Sequence, residues 1–294
     1  MQATVQIVDE AAHMVFNADF EMETLASDCR FTEGPVWNQQ GFYLFSDITA
    51  NTVFKLVPGK EKEIFLTASG TDHLADEDLK PDQVGSNGLA YDNKGALLVC
   101  RHGSHMVGKW NGGELAPFIT SFQNKPFNSP NDIIVDNRGR VFFSDPPYGL
   151  KEGQLNPAKF QPLAAVYCYD AGETRLVCDK YQYPNGVCIT PDGKKLYICS
   201  HKPFEKFISV YDLETLQFEK ILAEENSDGM KCDPHGNVYL SNREGLVILN
   251  PEGKRLAVIR LATEPANHCF GGMNKKDLLI TARQNVFLLK NFLR

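Results

Sequence analysis

The sequence predicts an all-β chain closed into a six-bladed β-propeller. Three observations carry the prediction: hairpin grammar from end to end, one motif that returns six times, and paired strands that are apolar at consecutive positions.

The hairpins come first. Little of the chain shows a helical period, and many short apolar runs are cut by turn residues, as in LAYDNKGALLV (89–99), IIVDNRGRVFF (133–143) and MKCDPHGNVYL (230–240). Each reads as a strand of about five residues, a turn built on Asn, Asp or Pro with Gly, and a second strand.

Aligned on the turn glycine, five hairpins carry a polar residue eight positions upstream. The pairs are Glu33 and Gly41, Asn87 and Gly95, Asn131 and Gly139, Asn185 and Gly193, and Asp228 and Gly236. A sixth copy is degenerate: KDLLIT matches GNVYLS of the fifth, Lys276 takes the place of the turn glycine, and His268 falls at the polar position. Spacings of about 40 to 55 residues hold four short strands, one propeller blade per repeat.

The strands Val141, Phe142, Phe143 and Leu97, Leu98, Val99 are apolar without alternation. A strand covered on both faces reads this way, which fits a blade sandwiched between blades better than a β-sandwich. The N-terminal strand region is expected to pair with the C-terminal blade, because an unclosed ring leaves edges exposed.

Composition bounds the rest. The 294 residues, 43% hydrophobic and 23% charged, suit one large globular domain over 1–294. A formal charge of −7 argues against a sequence-independent nucleic-acid binder. No apolar run approaches the roughly 20 residues that span a bilayer, and the N-terminus lacks a basic and apolar leader. A cytoplasmic protein without membrane attachment is therefore expected, its oligomeric state left open. The eight cysteines show no CxxC pairing and mostly sit in strand-like runs, so they read as buried free thiols. Residues 70–84 and 149–163 interrupt the repeat as long loops, either solvated connections or lids.

Equivalent positions of six blades fall on a ring about the axis. Glu33, Asn87, Asn131, Asn185, Asp228 and His268 then begin the innermost strands and converge at one mouth of the channel. Five of them offer oxygen, and two carboxylates brought together among amides need a cation or a raised pKa. A hard divalent ion meets that need: Ca²⁺ first, with Mg²⁺, Mn²⁺ or Zn²⁺ as substitutes. Taken singly, an Asn or Asp before Gly is commonly a turn residue serving its own backbone; the shared offset is what argues otherwise. Residues ending each second strand lie one strand outward at the same mouth: Asp47, Arg101 with His102, Asp145, His201, Arg243 and Arg283. Such a rim suits a polyhydroxylated ligand.

The stretches EGPVW (33–37), SNGLAYD (86–92), SPNDIIVDNRGRVFFSDPPYGL (129–150), PNGVCITPDGKKLY (184–197), SDGMKCDPHGNVY (227–239) and ANHCFGG (266–272) cover most of the chain. In them the sequence resembles the gluconolactonase branch of the senescence marker protein, gluconolactonase and luciferin-regenerating enzyme superfamily. The resemblance implies a six-bladed propeller, a catalytic divalent ion and hydrolysis of small sugar lactones. It assigns Glu33, Asn131, Asn185 and Asp228 to the metal and makes Asn87 a contact to substrate or metal-bound water. His102, Asp145 and Tyr148, the last in DPPYGL, are the further candidates for substrate contact.

The expected reaction has the metal polarising the lactone carbonyl while Asp228 orients or deprotonates water. No G-x-S-x-G elbow, P-loop or dinucleotide fingerprint is present. Two other readings remain: a phosphotriesterase-like or arylesterase-like hydrolase on the same scaffold, and a non-catalytic ligand-binding propeller with a structural metal.

Overall fold

Six antiparallel sheets follow one another around an axis in a computed structural model that describes residues 3–73 and 77–294. Blade one runs Thr32–Asn38, Phe42–Asp47, Thr52–Leu56, Glu63–Thr67 from the axis outward, and blade two Ser86–Tyr91, Leu97–Arg101, Met106–Trp110, Leu115–Ile119. Blade three is Ile133–Val135, Val141–Asp145, Ala165–Asp170, Glu173–Cys178; blade four is Pro184–Ile189, Lys195–Ser200, Ser209–Asp212, Phe218–Ile221. Among the described residues the helices are one turn, Ala12–Val15, and a 3-10 turn, Lys151–Gly153.

Closure uses the N-terminus twice. Blade six takes Asn267–Gly271, Asp277–Ala282 and Asn285–Lys290 from the C-terminal end, and Glu21–Ala26 pairs with Asn285–Lys290 as its fourth strand. Blade five, Met230–Cys232, Val238–Asn242, Gly245–Leu249 and Arg255–Arg260, gains a fifth strand that the repeat did not foretell, Thr4–Ile7. Both additions cover edges that would otherwise be open to pairing with another chain.

The core is divided rather than central. Each hydrophobic cluster lies where two blades face: Leu98, Val107, Phe127, Val141 and Phe143 between blades two and three, and Tyr197, Val210, Leu240 and Val247 between four and five. This is why consecutive strand residues are all apolar, since each face meets a neighbouring blade. Full burial of such a side chain contributes about 1.5–3 kcal/mol, so the stacking of blades carries the stability of the ring. All eight cysteines are free, and seven are buried. No described helix is long and apolar enough to cross a membrane.

The two long loops lock together. Lys80 N–H donates to the Gly149 carbonyl at 2.9 Å, Lys151 N–H to that of Asp78 at 2.7 Å, and Leu79 bridges to Leu150. Residues 74–76 of the first loop lie outside the described residues.

Candidate functional site

Innermost strands crowd at the axis, and that crowding fixes the residues that follow the polar ring. Gly34 has φ +52, and a Cβ there would stand 1.9 Å from the Asn87 carbonyl oxygen of the next blade. Gly88, Gly186 and Gly229 meet the next blade as tightly, at 2.4, 2.6 and 2.0 Å. A polar residue followed by Gly is thus the local solution at four blades: a β-bulge turns the polar side chain toward the axis, and the glycine lets the backbones pass.

The exception is blade three, where Asp132 follows Asn131. Its carboxylate is buried, accepts from Val187 N–H at 3.2 Å and pairs with Lys231 Nζ at 3.1 Å. This ion pair lies on the axis beneath the ring. Lys231 also lines a larger, mostly apolar cavity on the opposite face, whose walls include Trp37, Tyr91, Ile133 and Phe270.

Above the ion pair the ring residues form a relay of amides. Asn87 Nδ2 donates to Asn131 Oδ1 at 2.6 Å, Asn131 Nδ2 to Asn185 Oδ1 at 2.9 Å, and Asn185 Nδ2 to Asp228 Oδ1 at 2.6 Å. Glu33 faces the same space, with Oε2 accepting from Gly34 N–H at 2.9 Å. Glu33, Asn87, Asn131, Asn185, Asp228 and Tyr148 all line one cavity of about 360 Å³. Phe31, Ile48, Lys80, Asp82, Gln83, His201, Lys202 and Arg283 complete its wall.

The electrostatics of this floor are unbalanced. Burial, and then the Asp228 charge, hold the Glu33 carboxyl well above its ordinary range. Burial raises Asp228 from 3.8 to about 7, against the pull of the Arg283 guanidinium. Among the described residues, Glu33 has no ion pair and Asp228 has only His201, whose Nδ1 is 3.5 Å from Oδ2; burial keeps that imidazole below its ordinary pKa. Asn87 Oδ1 and the Tyr148 hydroxyl are buried without a hydrogen-bond partner among the described residues. Two buried, like-charged carboxylates among amide oxygens, with a spare buried oxygen beside them and no thiolate, are a donor set that fits a hard divalent cation. No three His, Cys, Asp or Glu side chains cluster to hold an ion among the described residues; amides complete this set.

Three of the surrounding residues stand outside the cavity wall. His268 does not reach the cavity: Nδ1 faces Ser241 Oγ at 2.9 Å, and the ring packs on Tyr239 and Phe270 between blades five and six. The backbone shows why. Asn131 and Asp228 donate N–H to Ser144 and Ser241 at the start of their hairpins, and in blade six Ala266 makes that bond, to Thr281. Hairpin six is one residue pair longer, so alignment on its turn slips the register. Asp145 is not in the cavity wall either. Its oxygens accept Asn128 N–H at 2.9 Å and Ser129 N–H at 2.8 Å, tying the approach to the innermost strand, and burial lifts its pKa to about 8. Asp47 does the same in blade one for Arg30 and Phe31. His102 stands behind the wall, with Nε2 3.2 Å from Asn131 Oδ1 and Nδ1 3.0 Å from the Gln83 carbonyl, and burial lowers its pKa to about 4.

Of the remaining rim residues, His201 and Arg283 line the cavity, whereas Arg101 Nε is spent on the Ser69 carbonyl at 3.1 Å. Lys80, Asp82 and Gln83 were not foreseen; they come from the end of the long loop 70–84 and line the cavity. Lys202 was missed as well, for it follows His201 outside any repeat. Its nearness to a rim position was the available signal.

Residues 31–284 match the family described as SMP-30/Gluconolactonase/LRE-like region. A gluconolactonase of Zymomonas mobilis is 31% identical over 294 residues, 92% of this chain and 82% of that protein. A solved gluconolactonase structure from Xanthomonas campestris superposes with a TM-score of 0.85 at 23% identity, covering 100% of this chain and 96% of that one. Regucalcin of Agrobacterium tumefaciens, described as a calcium-binding protein, superposes at 0.74 with 15% identity over 93% of this chain and 95% of its own.

Proposed function

The chain belongs to the SMP-30/gluconolactonase/LRE-like family, and from that membership we propose that it hydrolyses small sugar lactones with one divalent cation, Ca²⁺ foremost, held by Glu33, Asn131, Asn185 and Asp228. The observation that carries the reading is the pair of buried carboxylates at the floor of a polar cavity, both driven above their ordinary pKa. A cation bound there supplies Lewis-acid polarisation of the lactone carbonyl.

The chain's own groups do the rest. Asp228 takes the proton of the attacking water at its carboxylate. As the ring C–O bond breaks, Asp228 returns the proton to the departing ring oxygen, which leaves as the product's hydroxyl. His201, 3.5 Å from Asp228 Oδ2, orients that carboxylate. Asn87 and Tyr148, each with a buried polar atom lacking a partner among the described residues, bind substrate hydroxyls. His102 acts behind them by orienting Asn131. The mostly polar wall favours a polyol over an aryl ester or phosphotriester.

A pH-stat panel of aldonolactones tests the proposal, run on chelator-stripped protein and after Ca²⁺, Mg²⁺, Mn²⁺ or Zn²⁺ is restored singly. Hydrolysis that disappears on chelation and returns with a cation is expected. Failure to open any lactone under all of these conditions refutes it.

A further inference from the structure

Charges around the cavity pair off until one is left. Lys80 Nζ stands 3.7 Å from Asp82, and Arg283 is engaged with Glu264 at 2.7 Å. On the proposed function, a divalent ion offsets Glu33 and Asp228. Lys202 remains, the one cavity-lining cation with no carboxylate partner among the described residues. Its Nζ lies over the Tyr183 ring at 4.5 Å and the Tyr148 ring at 5.7 Å, and those two rings stack 5.7 Å apart.

The placement is built rather than accidental. Lys202 N–H donates to Ser200 Oγ at 3.1 Å. The Glu205 carboxylate, buried, accepts from Ser200 Oγ and from the backbone N–H of Gln182 and Tyr183. One buried anchor therefore fixes both the lysine and the aromatic ring beneath it. Aromatic faces hold an ammonium in place without neutralising it, which leaves the charge available to an anion in the cavity.

We propose that Lys202 selects lactones bearing an anionic substituent, a phosphate or a carboxylate, away from the reacting carbonyl. The inference rests on the lactonase reading and deepens it. Tyr148 lines the cavity beside the ammonium, with Tyr183 stacked on it, and a cavity of about 360 Å³ falls within the range of small-molecule sites.

The test measures kcat/KM, with saturating Ca²⁺, for D-glucono-1,5-lactone, its 6-phosphate and a D-glucaro-lactone, on wild type, Lys202→Gln and Lys202→Arg. Wild type is expected to prefer at least one anionic lactone by about tenfold, as one charge-assisted contact provides. In Lys202→Gln that preference collapses, mainly through KM, whereas Lys202→Arg keeps most of it; added salt erodes it in wild type. Which anionic lactone responds separates phosphate from carboxylate. Equal use of all three by wild type, or a preference unchanged in a folded Lys202→Gln variant, overturns the inference and leaves the lactonase reading standing. Inertness toward all three, and toward a wider lactone panel, overturns both.

Discussion

Replacing Asp228 by asparagine probes the charge of the cavity floor apart from any chemistry. Without a cation, burial holds the Asp228 carboxyl at about 7 against an ordinary 3.8. The folded state thus binds this proton more tightly than the unfolded chain does. Stability from this group is intact below 3.8, falls as pH rises toward about 7, and levels above it. At about 1.4 kcal/mol per pKa unit, the loss is capped at about 4 kcal/mol, and it is shared with Glu33, whose proton is held partly by the Asp228 charge. Asparagine keeps the oxygen that accepts from Asn185 Nδ2 and cannot ionise. Each kcal/mol moves the melting temperature of a chain this large by about 2 °C. In chelator at pH 8 the variant therefore melts several degrees above wild type, and the gap closes by pH 4. Added Ca²⁺ reverses the order, because wild type gains more from the cation. Thermal unfolding across that pH range, with and without Ca²⁺, reads both effects. A variant less stable than wild type in chelator at pH 8, or a gap that survives acidification, refutes the reasoning.

In steady-state assays at saturating Ca²⁺, Asp228→Asn lowers kcat by about 10² or more, the usual scale of general-base help, while Glu33→Gln recovers much of its loss as Ca²⁺ is raised. Equal recovery of the two would leave Asp228 no role beyond holding the ion. Gly34→Ala drives a Cβ to 1.9 Å from the Asn87 carbonyl and lowers the melting temperature markedly, whereas Gly59→Ala, with nothing within 4 Å and φ +79, costs only about 1 kcal/mol of backbone strain. Lys231→Met strands the buried Asp132 charge and destabilises by about 3–5 kcal/mol; adding Asp132→Asn restores most of it, as chemical denaturation of the single and double variants will report.

What the sequence made legible follows from how local each signal is. The hairpins and the ring of Glu33, Asn87, Asn131, Asn185 and Asp228 were readable because a turn glycine and a bulged polar residue lie within one hairpin, at an offset set by strand length. His268 shows the limit of that reasoning. One added residue pair in the last hairpin leaves the pattern intact to the eye and moves the histidine two residues along the strand from the ring position, where it packs between blades. Asp145 and Asp47 show another: a carboxylate at a strand end serves a backbone two strands' length away in sequence, and nothing in its neighbours distinguishes that from facing a ligand. Lys80, Asp82, Gln83 and Lys202 reach the cavity from segments outside the repeat, where no periodicity predicts direction. One signal was present and unread. Four ring residues are followed by Gly and Asn131 by Asp132, so blade three had to place a buried charge where its neighbours place none. Such a charge requires a partner on the axis. Lys231, one turn of the same logic away in blade five, is the basic residue that innermost strand supplies.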